Sequence, residues 1–359
     1  MGARLAVMAG GTGGHVFPAL AVAELLRDQG QEVLWIGTRQ KMEARLVPEQ
    51  GFEIEWIGIE GLRGKGGLAL VTAPWKLTVA MAQAASILRR RRPDLVLGMG
   101  GFASGPGGLV ARILGIPLVI HEQNQIPGLT NQWLSRIARL VFQAFPNSFP
   151  ARRGAETCGN PVRPEISALA VPGERLGSRQ GRIRLLVVGG SLGAQALNEQ
   201  VAAAVALMPL DTRPLIRHQA GERTLAVARQ AYASAGVEAE VTPFIRDMAE
   251  AYGWADLVIC RAGALTVSEL AAAGLGAILV PYPLAVDDHQ TANAAYLAGP
   301  GGAEILPQSQ LNAARLGAIL TRLLGDRARL LAMAEAARAQ AMPDAARRIA
   351  AACLAEIAS

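Results

Sequence analysis

Residues 4–15, RLAVMAGGTGGH, and residues 184–194, RLLVVGGSLGA, open two stretches of the chain on one plan, and that repetition decides the fold. In the first, the apolar run Leu5–Ala9 leads into a glycine turn, and an amphipathic stretch from Phe17 to Asp28 follows and is closed by Gly30. This is strand, glycine turn, helix. Val33–Ile36, Asp94–Leu97 and Leu118–Ile120 read as further strands between helical segments, the pattern of a parallel sheet covered on both faces. In the second, Arg184–Val188 is the strand, GGSLGA the turn and Gln195–Leu207 the helix; Val241, Leu257–Cys260 and Ala277–Val280 supply later strands. An α/β protein of two doubly wound domains is predicted. The segment Asn160–Gly181, with three prolines and little periodicity, is the predicted linker. Pro343 precedes a last helix over Ala345–Ile357, whose docking site periodicity leaves open.

At 359 residues the chain exceeds one ordinary core, in keeping with two domains. Half of it is apolar, which excludes disorder. The net charge of +6 lies wholly in residues 1–160, with 17 Lys+Arg against 11 Asp+Glu; residues 161–359 balance at 18 each. An anionic partner should therefore meet the first half. Basic–aromatic interleaving and nucleic-acid motifs are lacking, so no nucleic acid is expected. Cys158, Cys260 and Cys353 are too scattered for a disulfide frame or a zinc site. The N-terminus lacks signal-peptide anatomy. The longest apolar candidate for a span, Gly66–Leu88, is broken by Pro74 and Lys76.

A glycine turn before a helix suits a diphosphate, because the first helical N–H groups lack partners and glycine permits close approach. The dinucleotide fingerprint fails, however. Val16 occupies its third glycine position, and the second strand ends in Gly37-Thr38-Arg39, without a ribose-gripping acid. The loop at Gly98 reads G-x-G-x-x-A, but Gly105 and Pro106 are expected to interrupt the helix after it. Gly189-Gly190-Ser191-Leu192-Gly193 fits the nucleophile elbow of hydrolases, which would need His218 or His289 as base; a phosphate-binding serine fits the repeat equally well.

Taken together, GGTGGHVFPALAVAELL (10–26), GLRGKG (61–66), VLGMGGFASGPGG (96–108), HEQN (121–124), GNPVR (159–163), VVGGSLGA (187–194) and CRAGALTVSEL (260–270) closely resemble the MurG family of N-acetylglucosaminyltransferases. The resemblance implies the GT-B fold, two Rossmann-like domains facing across a cleft. It implies residues 1–160 as an acceptor- and membrane-facing domain, to which the helix 343–357 returns, and residues 161–342 as the UDP-GlcNAc-binding domain. The implied reaction is an inverting transfer of GlcNAc to the C4 hydroxyl of MurNAc in lipid I, giving lipid II and UDP in peptidoglycan synthesis. No cofactor or metal is implied; Asp287 and Asp288 read as polar loop residues.

By the same resemblance His15 is the candidate general base, with Glu122 as its rival. An imidazole suits proton transfer near neutral pH. Thr12, Gly13, Gly14 and Asn124 are implied to border the sugar and diphosphate, Arg163 and Ser191 to hold the UDP, and Ile245 to meet the uracil. Ala264, Leu265, Thr266, Val267, Ser268 and Glu269 open a helix implied to face the diphosphate, with Glu269 on the ribose, and Gln290, near His289 and Asn293, to bind the sugar. Leu192 and Ala262 depart from residues common in relatives.

The lipid acceptor implies a peripheral protein at the cytoplasmic face of the cell membrane. The segment Leu68–Leu88 holds Leu70, Val71, Trp75, Leu77, Val79 and Met81, with Arg63, Lys65 and Lys76 in or beside it and Arg89–Arg92 after it. Apolar residues rimmed by cations suit an anionic leaflet; a helix packed on the core with a solvated arginine run is the structural alternative. Two other function classes stay open: another GT-B enzyme using UDP-GlcNAc, such as an epimerase or lipid glycosyltransferase, and a non-catalytic sugar-nucleotide-binding subunit.

Overall fold

The structure, a computed structural model, describes residues 2–59, 67–190 and 193–358. The chain forms two compact units, Met1–Arg163 with Met342–Ser359, and Pro164–Ala341.

Among the described residues the first unit carries seven parallel strands: β1 (Arg4–Met8), β2 (Glu32–Gly37), β3 (Glu53–Trp56), β4 (Leu95–Gly98), β5 (Leu118–Glu122), β6 (Leu140–Gln143) and β7 (Glu156–Thr157). Their order is β3-β2-β1-β4-β5-β6-β7, so the chain reverses direction across the sheet between β1 and β4. The alternation of β1 serves two cores. Leu5 and Val7 face the helices α1 (Gly13–Asp28) and, at the C-terminus of the chain, α15 (Ala345–Ala358); Ala6 and Met8 face the opposite layer. After α2 (Glu43–Glu49), that layer is made by α3 (Gly67–Arg91), α4 (Ser104–Ile113) and α5 (Leu129–Leu134). Because both faces are covered, central strands are apolar throughout. In α15, Ile349, Ala350 and Cys353 are buried against α1.

Pro106 does not interrupt the helix after Gly98. It lies in the first turn of α4, where no intrahelical N–H is required and its fixed φ suits the helix.

The second unit holds β8 (Arg184–Val188), β9 (Leu215–Gln219), β10 (Glu240–Thr242), β11 (Leu257–Cys260), β12 (Ala277–Leu279) and β13 (Ala303–Ile305), all parallel in the order β10-β9-β8-β11-β12-β13. Its reversal point lies between β8 and β11. The helices are α6 (Pro164–Ser167), α7 (Pro172–Leu176), α8 (Gln195–Ala206), α9 (Leu225–Ala235), α10 (Met248–Trp254), α11 (Ala264–Ala273), α12 (His289–Ala298), α13 (Ala313–Leu324) and α14 (Arg327–Arg338).

Most of the predicted linker is not a linker. Pro164 and Pro172 start α6 and α7, the helical position that tolerates proline best. Arg175 then donates to the carbonyls of Tyr252 (3.0 Å), Ala273 (2.7 Å) and Gly274 (2.6 Å), and Arg179 to those of Gly253 and Trp254 and to Asp256 (2.7 Å). Guanidinium groups thus satisfy orphan carbonyls where α10 and α11 end, at their negative poles. The contacts cross 74 to 99 residues of sequence, which local composition could not reveal.

Candidate functional site

Among the described residues, most of the predicted site residues follow the carboxyl ends of strands near the reversal points, β1 and β5 in the first unit and β11 and β12 in the second, where open α/β sheets bind ligands, whereas Arg163 and Ile245 follow the edge strands β7 and β10.

In the first unit Thr12 is the N-cap of α1 in extended conformation, exposed, and its hydroxyl makes no capping bond. Gly13 and Gly14 begin the helix, and His15 lies in its first turn, half-buried. The loop after β4 closes on this turn. A Cβ at Gly100 would stand 2.7 Å from His15 Nδ1, and one at Gly101 would overlap the Gly10 carbonyl, while both residues have φ near +90°. Only glycine fits there. Ser104 Oγ, within 2.9 Å of the Met8 carbonyl and 2.8 Å of that of Gly100, ties the two strand ends together.

The glycine turn itself holds an internal hydrogen-bond acceptor. Glu43 is fully buried and accepts from the Gly11 N–H (2.9 Å), the Thr38 N–H (3.1 Å) and the Thr38 hydroxyl (2.6 Å). The acid that β2 lacks is therefore supplied by α2, but it faces the turn instead of a ribose.

HEQN lies at the end of β5 and the loop beyond it, with His121, Glu122 and Gln123 all buried. Each Glu122 oxygen takes two donors: Oε1 from the Asn124 backbone (2.9 Å) and side chain (3.2 Å), Oε2 from the Gly128 N–H (3.2 Å) and the Asn131 amide (2.9 Å). His15 Nδ1 meets Gln123 Oε1 at 2.8 Å. Burial pushes His121 down to about 4. Arg163 belongs to the first unit, its guanidinium 5.7 Å from the centre of the Phe17 ring.

In the second unit Ala264–Glu269 start α11 directly after β11. The N-cap, Gly263, is extended and has no side chain, so no side-chain capping bond closes the start of the helix. Glu269 lies in the second turn, buried, and accepts from the Tyr252 hydroxyl at 3.1 Å. Ile245 follows β10, half-buried in an otherwise exposed loop. Gln290 opens α12 and accepts the Tyr282 N–H at 2.9 Å through Oε1, which turns its amide nitrogen away as a donor. Before it, Asp287 and Asp288 both adopt left-handed φ, and Asp288 accepts from the Thr291 hydroxyl at 2.8 Å. Asn293 donates to the Ala262 carbonyl. Ser191 lies outside the described residues, as do Leu192, Arg63 and Lys65. Among the described residues no cluster of three or more His, Cys, Asp or Glu suits a metal ion. The hydrolase alternative loses one base, because His218 is fully buried against Tyr232.

Sequence reading passed over Glu43 and Gln123. The available signal was a run of polar residues, HEQ, inside an otherwise apolar central strand and its exit.

Residues 5–143 match the glycosyltransferase family 28 N-terminal domain and residues 184–349 the family 28 C-terminal domain. The chain is 56% identical over 351 residues to the UDP-N-acetylglucosamine–N-acetylmuramyl-(pentapeptide) pyrophosphoryl-undecaprenol N-acetylglucosamine transferase of Marinobacter nauticus, covering 98% of this chain and 97% of that one. It is likewise 56% identical to the protein of the same name from Methylococcus capsulatus, with 99% of each covered. It superimposes on the crystal structure of Acinetobacter baumannii MurG with a TM-score of 0.86 at 43% identity, covering 98% and 99%. The calicheamicin glycosyltransferase CalG4, at 20% identity and a TM-score of 0.69, shares the fold, two Rossmann-like domains of the GT-B type. The chain belongs to glycosyltransferase family 28, and within it to the MurG N-acetylglucosaminyltransferases.

Proposed function

We propose that the protein transfers GlcNAc from UDP-GlcNAc to the C4 hydroxyl of MurNAc in undecaprenyl-diphospho-MurNAc-pentapeptide, with inversion, forming lipid II and releasing UDP. The observation that carries this reading is the chemical difference between the two reversal points. In the first unit the Gly11 N–H is already engaged by the buried Glu43 side chain, and the group presented is an imidazole. In the second, a ten-residue helix starts just after β11 on a glycine N-cap with no side-chain cap, which puts the positive end of its dipole at the strand ends.

In this mechanism His15 takes the proton of the attacking hydroxyl through Nε2. The oxygen bonds to the anomeric carbon while the bond to the β-phosphate oxygen breaks and its electrons leave with UDP. The first turn of α11, with Arg163 and Ser191, stabilises the charge that builds on the diphosphate. Glu269 accepts from ribose hydroxyls, Ile245 meets the uracil, and Gln290 donates its amide hydrogens to the sugar. Thr12, Gly13, Gly14 and Asn124 border the donor on the acceptor side. Glu122, with both oxygens occupied, organises the 124–131 loop and is not the base.

Peripheral binding at the cytoplasmic face of the membrane belongs to the same proposal. No helix among the described residues is long and apolar enough to cross a membrane. Trp75 is 72% exposed on α3, beside Leu77 and Lys76. The adjoining helices of that layer add Leu109 and Ile113 from α4, and Leu129 and Trp133 from α5. Arg136 stacks 4.1 Å from the Trp133 ring centre. The side chains of Leu70 and Val71 lie outside those described. The arginine run contributes less than its sequence suggests: Arg90 and Arg91 pair with Glu55 (2.9 and 2.7 Å), and Arg91 also with Glu53.

The test supplies labelled UDP-GlcNAc and a short-chain lipid I analogue to the purified protein and to His15→Ala. Disaccharide lipid and UDP are expected from the parent, and a kcat lower by about 10² to 10⁴ from the variant. Absence of disaccharide product overturns the function, and would leave epimerase or non-catalytic binding. Full activity in the variant overturns only the base.

A further inference from the structure

We infer that Gln123 sets the tautomer of His15, and that His121 holds Gln123 in the orientation this requires. The inference rests on His15 being the proton acceptor proposed above.

A neutral imidazole can take a proton only at its unprotonated nitrogen, so the position of its single N–H decides whether it can work. The half-buried face of the His15 ring is closed by Gly100, and its Nδ1 lies 2.8 Å from Gln123 Oε1. That amide has one orientation. Gln123 Nε2 lies 2.9 Å from the Met99 carbonyl oxygen, which can only accept, and 3.1 Å from His121 Nδ1. His121 Nε2 in turn lies 2.9 Å from the Gly159 carbonyl oxygen, again an acceptor only. His121 therefore carries its proton on Nε2 and accepts at Nδ1, from the second amide hydrogen of Gln123. Burial keeps the His121 ring neutral, as this pattern needs. Turning the Gln123 amide over would set its oxygen against the Met99 carbonyl and remove the donor from His121.

Two backbone carbonyls, of Met99 and Gly159, thus fix a chain of four hydrogen bonds that ends at His15. Gln123 presents an acceptor to Nδ1, which must carry the hydrogen, and the lone pair is left on Nε2. When the substrate hydroxyl gives up its proton, Nε2 receives it and the Nδ1–H bond to Gln123 persists. Gln123 touches no reacting atom; it is a positioning residue. The neighbouring carboxylate, Glu122, has both oxygens on other donors, so the partner of Nδ1 is neutral. That separates this pair from the histidine–carboxylate arrangement of hydrolases.

The experiment is nitrogen-15 NMR of the intact protein labelled at its four histidines, with His15→Ala giving the assignment. The expected wild-type spectrum shows His15 protonated at Nδ1 and bare at Nε2, and His121 in the opposite tautomer. Gln123→Met, which keeps the volume but removes the acceptor, should move His15 toward the Nε2–H tautomer. It should lower kcat at least about tenfold while KM for UDP-GlcNAc stays within about twofold, since only proton transfer is impaired. A wild-type His15 protonated on Nε2, or a methionine variant with unchanged kcat, overturns the inference. The wild-type spectrum decides even if the variant does not fold. Full activity of His15→Ala would remove the base and leave the tautomer assignment standing. An inactive His15→Ala with Nε2 protonated in the parent would do the reverse.

Discussion

The carboxylate of Glu43 accepts the backbone N–H of Gly11 at 2.9 Å, across 32 residues of sequence. A turn that reads as a phosphate cradle is thereby closed from within, and Thr38 is bound by the same side chain. In Glu43→Ala the Gly11 and Thr38 donors lose a buried acceptor, which should lower the stability of the first unit by about 3 kcal/mol in urea unfolding. A loss below about 1 kcal/mol would show that water replaces the carboxylate without cost.

Glu122→Gln replaces an acceptor of four hydrogen bonds with an amide whose nitrogen faces donors. Stability should fall by about 1–3 kcal/mol as the 124–131 loop loosens. The kcat should fall much less than the roughly 10²-fold or greater loss expected for His15→Ala. Steady-state kinetics on both variants settles the comparison, and a larger kcat loss in Glu122→Gln at unchanged stability would transfer the base to Glu122.

Acid should weaken both units before their carboxylates titrate. His121 and His218, one in each unit, are buried and held down to about 4 by desolvation, against an ordinary value of 6.5. Between those values the unfolded chain binds a proton that the folded chain refuses, so stability falls as pH drops from about 6.5 toward 4 and levels off below. By pH 5 the loss is about 2 kcal/mol per imidazole. Urea midpoints measured from pH 7.5 to 5 should decline accordingly, and a flat profile would mean that water reaches the rings.

Trp75 and Trp133 are 72% and 65% exposed on one helical layer. Replacing both with glutamate should reduce co-sedimentation with phosphatidylglycerol vesicles at least about tenfold, because apolar contact and charge both turn unfavourable. Thermal unfolding should be unaffected, as neither ring is buried. Undiminished vesicle binding would place the membrane contact elsewhere.

The central strands were legible because burial on two faces makes them apolar runs, as Leu257–Cys260 shows by its full burial. Of the outer strands only β10, through Val241, was. Glu53–Trp56 at one edge, Glu156–Thr157 at the other and Ala303–Ile305 in the second sheet carry charged residues and lack that pattern. Leu215–Gln219, beside the edge strand β10, ends in Arg, His and Gln, and it was missed for the same reason. Proline misled twice, at Pro106 and across the predicted linker, since its meaning depends on whether a helix begins there.

The repeated strand–glycine–helix units, the family and the motifs at the strand ends can be read from the residues alone. The residues do not say which polar groups in those motifs remain available to a substrate. It takes the folded chain to show that Gly11 is already engaged by Glu43, that Glu122 accepts four hydrogen bonds, and that His15 is gripped by a glutamine 108 residues away. The reason is that hydrogen-bonding groups saturate. A donor or acceptor held by a distant side chain reads in the sequence the same as a free one, and only packing shows which it is.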